Sequence, residues 1–355
     1  MKGIILHGGH GTRLRPLTHT GPKQLLPIAN KPMSQYCIES IREAGITDIA
    51  IIIGGLGSNK VKEYYGNGKN FGVNLTYIEQ DYPKGIAHAV NLCKGFVSNE
   101  KFVVFLGDNI IQKPISEFAK NFEGSNYDAS ILLCKVDNPS RFGIADVKDK
   151  KIIKIMEKPK TPPTNLAVTG IYFLTTKIFD IISRQKPSAR NELEITDALE
   201  MLLKENDNIS YNMITDYWKD TGTPEDILHA NMQVLAKMKP YFYGKKDEGV
   251  SIEGSLMLGE GSLIKTGSRI KGPVIIGKNC LIESNTTIGQ NTSVGNNSIL
   301  SNCDIANSII MKDCKIEGGF KIRRSIISSN SKIHINKKTK DEKVFLLGEG
   351  TKISY

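Results

Sequence analysis

From Ile252 to Leu300 an aliphatic residue stands at every sixth position without a break: Ile252, Leu258, Ile264, Ile270, Ile276, Ile282, Ile288, Val294 and Leu300. Gly, Asn, Ser, Glu or Lys dominates the positions just after each. A helix repeats its buried face about every 3.6 residues and a strand about every second, so neither produces this stripe. Short stacked coils with one inward aliphatic residue per face do produce it, and nine hits in register rule out accident. After Leu300 the register loosens (Ile305, Ile309, Ile316, Ile322, Ile326), which predicts insertions that form loops or a cap.

Before about residue 235 the rhythm is different. Apolar runs at Gly3–Leu6, Asp48–Ile53, Leu75–Glu79, Phe102–Leu106, Ala129–Lys135 and Ala167–Phe173 read as strands. Helical spacing covers Pro32–Ala44, through Met33, Cys37, Ile41 and Ala44, and also Gly85–Phe96 and Ile115–Phe122. Strands alternating with helices predict an α/β fold, a Rossmann-like and largely parallel sheet covered on both faces. Ligands of such sheets bind beyond the carboxyl ends of the strands. The expected organisation is a catalytic domain over 1–236, a linker over 237–249 with Pro240 and Gly244, and a β-helix over 250–355 ending in an irregular cap.

A chain of 355 residues is long enough for both parts. No apolar run approaches the roughly 20 residues that span a bilayer, and Met1 leads straight into the strand-like KGIILHGG, so a cytoplasmic protein is expected. Six scattered cysteines, with no C-x-x-C and no His at zinc-ligand spacing, exclude a disulfide framework or zinc site as the organising element. The net charge of +10 favours anionic partners. Its late clusters, Lys321-Ile322-Arg323-Arg324 and Lys332 to Lys343, lack aromatic interleaving and read as a solvated basic edge, with no nucleic acid and no membrane as partner.

The chemistry concentrates in LHGGHGTRLRPLTHTGPKQLLP, residues 6–27. A dinucleotide fingerprint needs G-x-G-x-x-G, but counting from Gly9 and Gly11 the last position is Leu14; a Walker A loop is also absent. Gly8, Gly9 and Gly11 would let backbone N–H groups approach a triphosphate. Arg13 could hold phosphate oxygens in a fork, and Lys23 could act as a flexible point cation.

GGHGTRLRPLT followed by PKQLLPIANKPM resembles the start of a sugar-1-phosphate nucleotidyltransferase. Gly107-Asp108-Asn109, RFGIADV (141–147), EKPK (157–160), VTGIYFL (168–174), SARNELEITDAL (188–199) and YWKDTGTPED (217–226) continue the match in order. Together they resemble the glucose-1-phosphate thymidylyltransferase family, in its long form with a C-terminal left-handed β-helix. The resemblance implies that dTTP, or also UTP, and a sugar 1-phosphate are joined with release of pyrophosphate, with Mg²⁺ as cofactor. No nucleophile–base pair is needed for direct in-line displacement, so catalysis would rest on positioning and charge neutralisation. Asp108 and Asp220 are then the metal ligands, a role suited to a hard cation that keeps few protein ligands. Arg13, Lys23, Asp108 and Lys158 form the expected catalytic set. Leu6, Gly8, Gly9, Gly11, Thr12, Gln24, Gln80, Pro83 and Gly85 would line the nucleotide, the two glutamines reading a pyrimidine. Lys158 and Arg190 would grip the sugar phosphate, with Asn109, Gly143, Glu157, Gly170, Tyr172 and Trp218 around the sugar, and Trp218 reads best as a packing wall.

Three residues depart from the family pattern. His7 and His10 stand where small residues are usual, and Asn191 follows Arg190 where Gly is common. Neither histidine receives a role from the sequence. Exposed solenoid faces favour a homo-oligomer. Two other readings compete with the first. One is a bifunctional uridylyltransferase/acetyltransferase, for which the only late histidine is His334; the other is a non-catalytic scaffold, against which stand Arg13, Lys23, Asp108 and Asp220.

Overall fold

Strands β1 (Lys2–Leu6), β2 (Asp48–Ile53), β3 (Asn74–Glu79) and β4 (Phe102–Leu106) run parallel in the spatial order β4-β1-β2-β3. The runs GIIL, IAIII and FVVFL are apolar along nearly their whole length because helices cover both faces, and Ile4, Ile5, Ile51 and Val104 are fully buried. The structure is a computed structural model and describes residues 1–9, 11–205, 208–335 and 341–354. β5 (Ala129–Lys135), β6 (Gly143–Lys148), β7 (Lys151–Glu157), β8 (Leu166–Leu174) and β9 (Ile209–Ile214) complete a nine-stranded sheet.

Seven of the nine strands run in one direction, as the sequence predicts, and two run against them: β8 is antiparallel to β4, β5 and β6, and β7 is antiparallel to β6. A two-residue turn at Asp149 and Lys150, both at positive φ (50° and 60°), reverses the chain between β6 and β7. No Asn-Gly or Asp-Gly marks that turn, which is why the sequence does not announce it. Helices α1 (Met33–Glu43), α2 (Asn59–Tyr65), α3 (Ile86–Asn91), α4 (Lys94–Val97), α5 (Ser116–Glu123), α6 (Lys177–Arg184) and α7 (Ile195–Lys204) follow. The helix expected over 85–96 is two short ones, because Cys93 N–H bonds Val90 O three residues back and tightens the turn between them.

The six-residue stripe builds three parallel ladders of seven, seven and six strands, the left-handed β-helix that the spacing predicts. One coil takes 18 residues, six per face: Ile252 pairs with Ile270, Leu258 with Ile276, and Ile264 with Ile282. Leu258, Ile264, Ile276, Ile282, Ile288, Val294 and Leu300 are fully buried, whereas Ile252 at the outer coil remains 36% exposed. Corners are turned by Asn279, Asn285, Asn291 and Asn297 at φ between 53° and 61°, the left-handed region that Asn tolerates better than other side chains.

Beyond Leu300 the inward residues are Ile305, Ile310, Ile316, Ile322, Ile327 and Ile333. Three steps are therefore five residues long, which shortens those coils, and Ile310 and Ile327 take the inward places expected of Ile309 and Ile326. The last coil is lengthened, as expected of an insertion, for Ile322 pairs with Lys343, Ile327 with Leu347 and Ile333 with Ile353. Asn302, Asn307 and Arg324, all at positive φ, close the shortened corners. The segment 336–340 of the expected cap lies outside the described residues. Residues 237–249 are more than a linker. Tyr241–Phe242 and Lys245–Lys246 are strands that ladder onto Met257–Leu258 and Leu263–Ile264, continuing the coil spacing backwards. Replacing Ile288 by Ala should cost about 2–5 kcal/mol in urea denaturation, the price of a cavity in a stack that cannot collapse, whereas Ile252→Ala should stay near ~0.5 kcal/mol.

By packing, the chain divides into two units, Met1–His10 with Met33–Asp220, and Gly11–Pro32 with Thr221–Tyr355. Within the second unit, the end of the 11–32 segment is pinned to helix α8 (Pro224–Lys237) and to the β-helix. Ala29 N–H donates to Asn231 Oδ1 at 2.8 Å, and Asn30 Nδ2 donates to Val294 O at 2.7 Å. Asn231, fully buried, also accepts from Ser293 Oγ at 2.7 Å and donates to Asn291 O at 3.1 Å.

Candidate active site

Parallel pairing brings the carboxyl ends of β1 to β4 to one edge, since Leu6 aligns with both Ile52 and Leu106 and Ile53 aligns with Glu79. The loops that leave this edge carry Gly8, Gly9, Gln80, Pro83, Gly85 and Asp108. Gly9 sits at φ 94° and Gly85 at φ 101°, conformations that favour glycine. A Cβ on Gly85 would meet only the backbone of Leu193, and the two strands of chain are stitched there by Ala87 N–H to Leu193 O (3.0 Å) and Leu193 N–H to Lys84 O (2.8 Å). The loop expected to hold the base is thus fastened to the ELEIT segment after Arg190. Gln80 is buried, with Nε2 2.8 Å from His88 Nδ1.

Asp108 is set by a chain of buried groups. Asn109 Nδ2 donates to Asp108 Oδ1 at 3.0 Å, while Asn109 Oδ1 accepts from Trp218 Nε1 at 2.7 Å and from Gly170 N–H at 3.3 Å. Asn109 is 2% exposed and Trp218 8%, so in this structure both act on Asp108 from behind. Gly170 permits the contact: a Cβ there would lie 2.9 Å from Asn109 Cγ and 2.7 Å from the Leu106 side chain. Residues Asn109–Ile111 form a small antiparallel ribbon with Trp218–Asp220, in which Asp220 faces Asn109. Asp220 therefore stands on the rung opposite the residue that follows Asp108. Buried Tyr172 senses both; its phenol is pushed far up by burial first and then by Glu157, Asp108 and Asp220.

The carboxylates of Asp108 and Asp220 are hard oxygen donors of the kind that fits Mg²⁺. Among the described residues no group of three or more His, Cys, Asp or Glu could hold a metal ion, so a cation here would take its remaining ligands from substrate and water.

A second cluster lies at the end of β7. Glu157 Oε1 is 3.3 Å from Lys158 Nζ and accepts from Arg190 Nη2 at 2.8 Å, and Glu157 Oε2 accepts from Thr196 Oγ1 at 2.8 Å. Arg190 Nε and Nη2 also donate to Glu194 Oε1 at 3.1 and 2.7 Å, and Ser188 Oγ donates to the same oxygen at 2.9 Å. Gly143 leaves room for this arrangement, since a Cβ would lie 2.5 Å from Thr196 Cγ2 and 3.3 Å from Glu157 Oε2. Burial, then Glu194 and Glu157, hold the Asp197 carboxyl above its usual range, and Arg190 works against them. Thr196 and Glu194 stand inside the motif that the sequence offers, yet their roles become visible only through these bonds.

Gly11, Thr12, Arg13, Lys23 and Gln24 belong to the second unit. Gly11 at φ 59° leads into the short helix Thr12–Leu14, and its carbonyl accepts from Thr18 Oγ1 at 2.8 Å. Lys23 and Gln24 begin another short helix, with Gln24 buried and Arg13 exposed. His7 is fully buried, and neither ring nitrogen has a hydrogen-bond partner. Burial holds its pKa down at about 3, against a smaller upward pull from Asp108, so the imidazole is neutral. His10 lies outside the described residues. All six cysteines are buried and unpaired, and among the described residues no helix is long and apolar enough to cross a membrane.

Residues 2–237 match a family model described as Nucleotidyl transferase, and residues 270–354 match one described as GMPPB C-terminal domain. A glucose-1-phosphate thymidylyltransferase of Streptomyces antibioticus is 39% identical over 99% of both chains. The low-salt glycan biosynthesis nucleotidyltransferase Agl11 of Haloferax volcanii is 45% identical over 73% of each, and the bifunctional protein GlmU of Methanococcus vannielii is 36% identical over 99% of this chain and 85% of its own. Among solved structures, a candidate glucose-1-phosphate thymidylyltransferase from Bacillus anthracis, in complex with sucrose, superposes with a TM-score of 0.64 at 43% identity, covering 68% of this chain and 97% of that one.

Proposed function

The chain belongs to the nucleotidyl transferase family, and from that premise we propose that it joins dTTP to glucose 1-phosphate, giving dTDP-glucose and pyrophosphate. The observation that carries this reading is the ribbon that sets Asp220 opposite Asn109, the chain neighbour and hydrogen-bond donor of Asp108, in the same unit as the Glu157–Lys158–Arg190 cluster. The first group suits a triphosphate with its cation and the second a phosphorylated sugar. A phosphate oxygen of the sugar attacks the α-phosphorus in line; the new P–O bond forms as the bond to the β-phosphate bridging oxygen breaks, and that oxygen leaves with pyrophosphate. Mg²⁺ bound at the two carboxylates would supply charge neutralisation on the triphosphate.

The chain's own side chains do the rest. Lys158 and Arg190 hold the attacking phosphate. Glycine backbone at 8 and 9 approaches the phosphates, and Gln80 reads the base. Asn109, locked by Trp218, keeps Asp108 in one orientation. Choice of dTTP over UTP rests on the relative from Streptomyces antibioticus, because one methyl and one hydroxyl separate the two nucleotides and a methyl contact supplies only about 1–3 kcal/mol.

The test is a panel of dTTP and the four ribonucleoside triphosphates against glucose, galactose, mannose and N-acetylglucosamine 1-phosphates, read by pyrophosphate release. The highest kcat/KM is expected for dTTP with glucose 1-phosphate; a preferred UTP and N-acetylglucosamine pair would overturn it. A second reading, acyl transfer by the β-helix, draws on the relative from Methanococcus vannielii and on His334, whose Nδ1 lies 3.4 Å from Glu317. Acetylated product from acetyl-CoA and glucosamine 1-phosphate would establish it.

A further inference from the structure

We propose that the Glu157 carboxylate is an internal stand-in for the substrate's phosphate, so that the site takes up a phosphate readily only from a ligand whose hydroxyls satisfy the displaced carboxylate. This deepens the reading of the sugar-phosphate site and rests on it. The two cations assigned to the phosphate, Lys158 and Arg190, converge on one atom, Glu157 Oε1, at 3.3 and 2.8 Å. A carboxylate oxygen thus occupies the place between them that a phosphate oxygen would need. All three side chains stay partly open to solvent, with Glu157 20%, Arg190 43% and Lys158 44% exposed, so exchange with a ligand is accessible.

What holds the cluster during exchange lies on its inner side. Glu194, 5% exposed, grips Arg190 through Nε and Nη2 and is itself held by Ser188. Arg190 therefore has a permanent carboxylate and an exchangeable one. Thr196 Oγ1 similarly anchors only Oε2 of Glu157, which leaves Oε1 to change partners.

Bare inorganic phosphate would strip both cations from Glu157 and place a second anion beside an uncompensated carboxylate, a like-charge contact that opposes binding. A sugar phosphate brings hydroxyl donors with its phosphate, and the freed oxygen accepts them. Capture of the phosphate and recognition of the ring are coupled because one carboxylate stands in both processes. A surface ion pair would contribute little by itself; its effect here is selectivity, not stability.

Two measurements test this. In Glu157→Gln, which keeps the size and an acceptor for Thr196, inhibition by inorganic phosphate should tighten at least about fivefold while the KM for glucose 1-phosphate rises at least about fivefold. Glu194→Gln leaves the stand-in in place but loosens Arg190, and should weaken both ligands together. Unchanged or weaker phosphate inhibition in Glu157→Gln overturns the proposal. In the unaltered protein, calorimetric titration of inorganic phosphate should show several-fold tighter binding with saturating free glucose than without it, since each molecule supplies one half of the exchange. Absence of that synergy also overturns it, whether or not Glu157→Gln folds. The titration needs no turnover, so failure of the nucleotidyltransferase reading would appear separately, in the substrate panel.

Discussion

Asp108→Asn and Asp220→Asn are each expected to lower pyrophosphate release by about 10³-fold while leaving the thermal midpoint close to that of the unaltered protein. The pair of outcomes matters more than the loss alone. Asp108 is 8% exposed, the ribbon sets Asp220 opposite its neighbour Asn109, and both aspartates act on the buried Tyr172 phenol. Asn matches Asp in size, so the packing around either position is kept. The Asn amide oxygen can still accept from Asn109 Nδ2, so the local hydrogen bond survives. A purely structural role would lose stability and activity together. A role in holding a cation loses activity alone, and added Mg²⁺ should then protect the unaltered protein against heat but not the variants. Turnover at the original rate in either variant would remove that aspartate from the metal assignment.

How much of this could be read in advance depended on the range over which each feature is determined. The β-helix is written locally: one aliphatic residue per six fixes face, and three faces fix the 18-residue ladder between Ile252 and Ile270. The parallel strands were legible for the same reason, as short uninterrupted apolar runs. What failed was local geometry without a residue signal, such as the Asp149–Lys150 turn and the five-residue corners at Asn302 and Asn307. Packing between distant segments was also out of reach. Nothing near Ala29 and Asn30 announces that they bond Asn231 and Val294, and so group the residue 11–32 segment, with Arg13 and Lys23, with the β-helix unit.

The candidate site shows the same division. Asp108 and Asp220 could be named because each follows an apolar run inside a motif, but the ribbon that sets Asp220 opposite Asn109, next to Asp108, is a tertiary fact. Glycines 143 and 170 are expected around the sugar, and the structure adds what a Cβ would meet there, namely Thr196, Glu157, Leu106 and Asn109. His7 stood out in the sequence only as a departure from the family pattern, and its burial and neutrality were not legible there.

The second large effect is expected at Gly85, where Ala should raise the KM for both substrates at least about tenfold and cost roughly 2–5 kcal/mol of stability. Two penalties combine there. The backbone sits at φ 101°, where an L side chain is strained, and the new Cβ would lie 2.6 Å from Leu193 N and 2.9 Å from Leu193 C, also striking Leu193 O. Every atom it meets is backbone, so no rotamer change relieves the clash. The chain must separate, and the bonds from Ala87 to Leu193 and from Leu193 to Lys84 open with it. Those bonds fasten the loop of Gln80 and Pro83 to the segment from Arg190 to Glu194, so one methyl group disturbs both halves of the site. Gly143→Ala is the control: its Cβ meets Thr196 Cγ2 at 2.5 Å, a side-chain atom that can shift, and φ there is not left-handed. That variant should raise the KM for the sugar phosphate alone, through the Thr196–Glu157 bond, with a smaller loss of stability. Steady-state kinetics with each substrate varied, beside thermal denaturation, distinguishes the two; Gly85→Ala kinetics equal to those of the unaltered protein would show that the stitch at Leu193 does not position the loops.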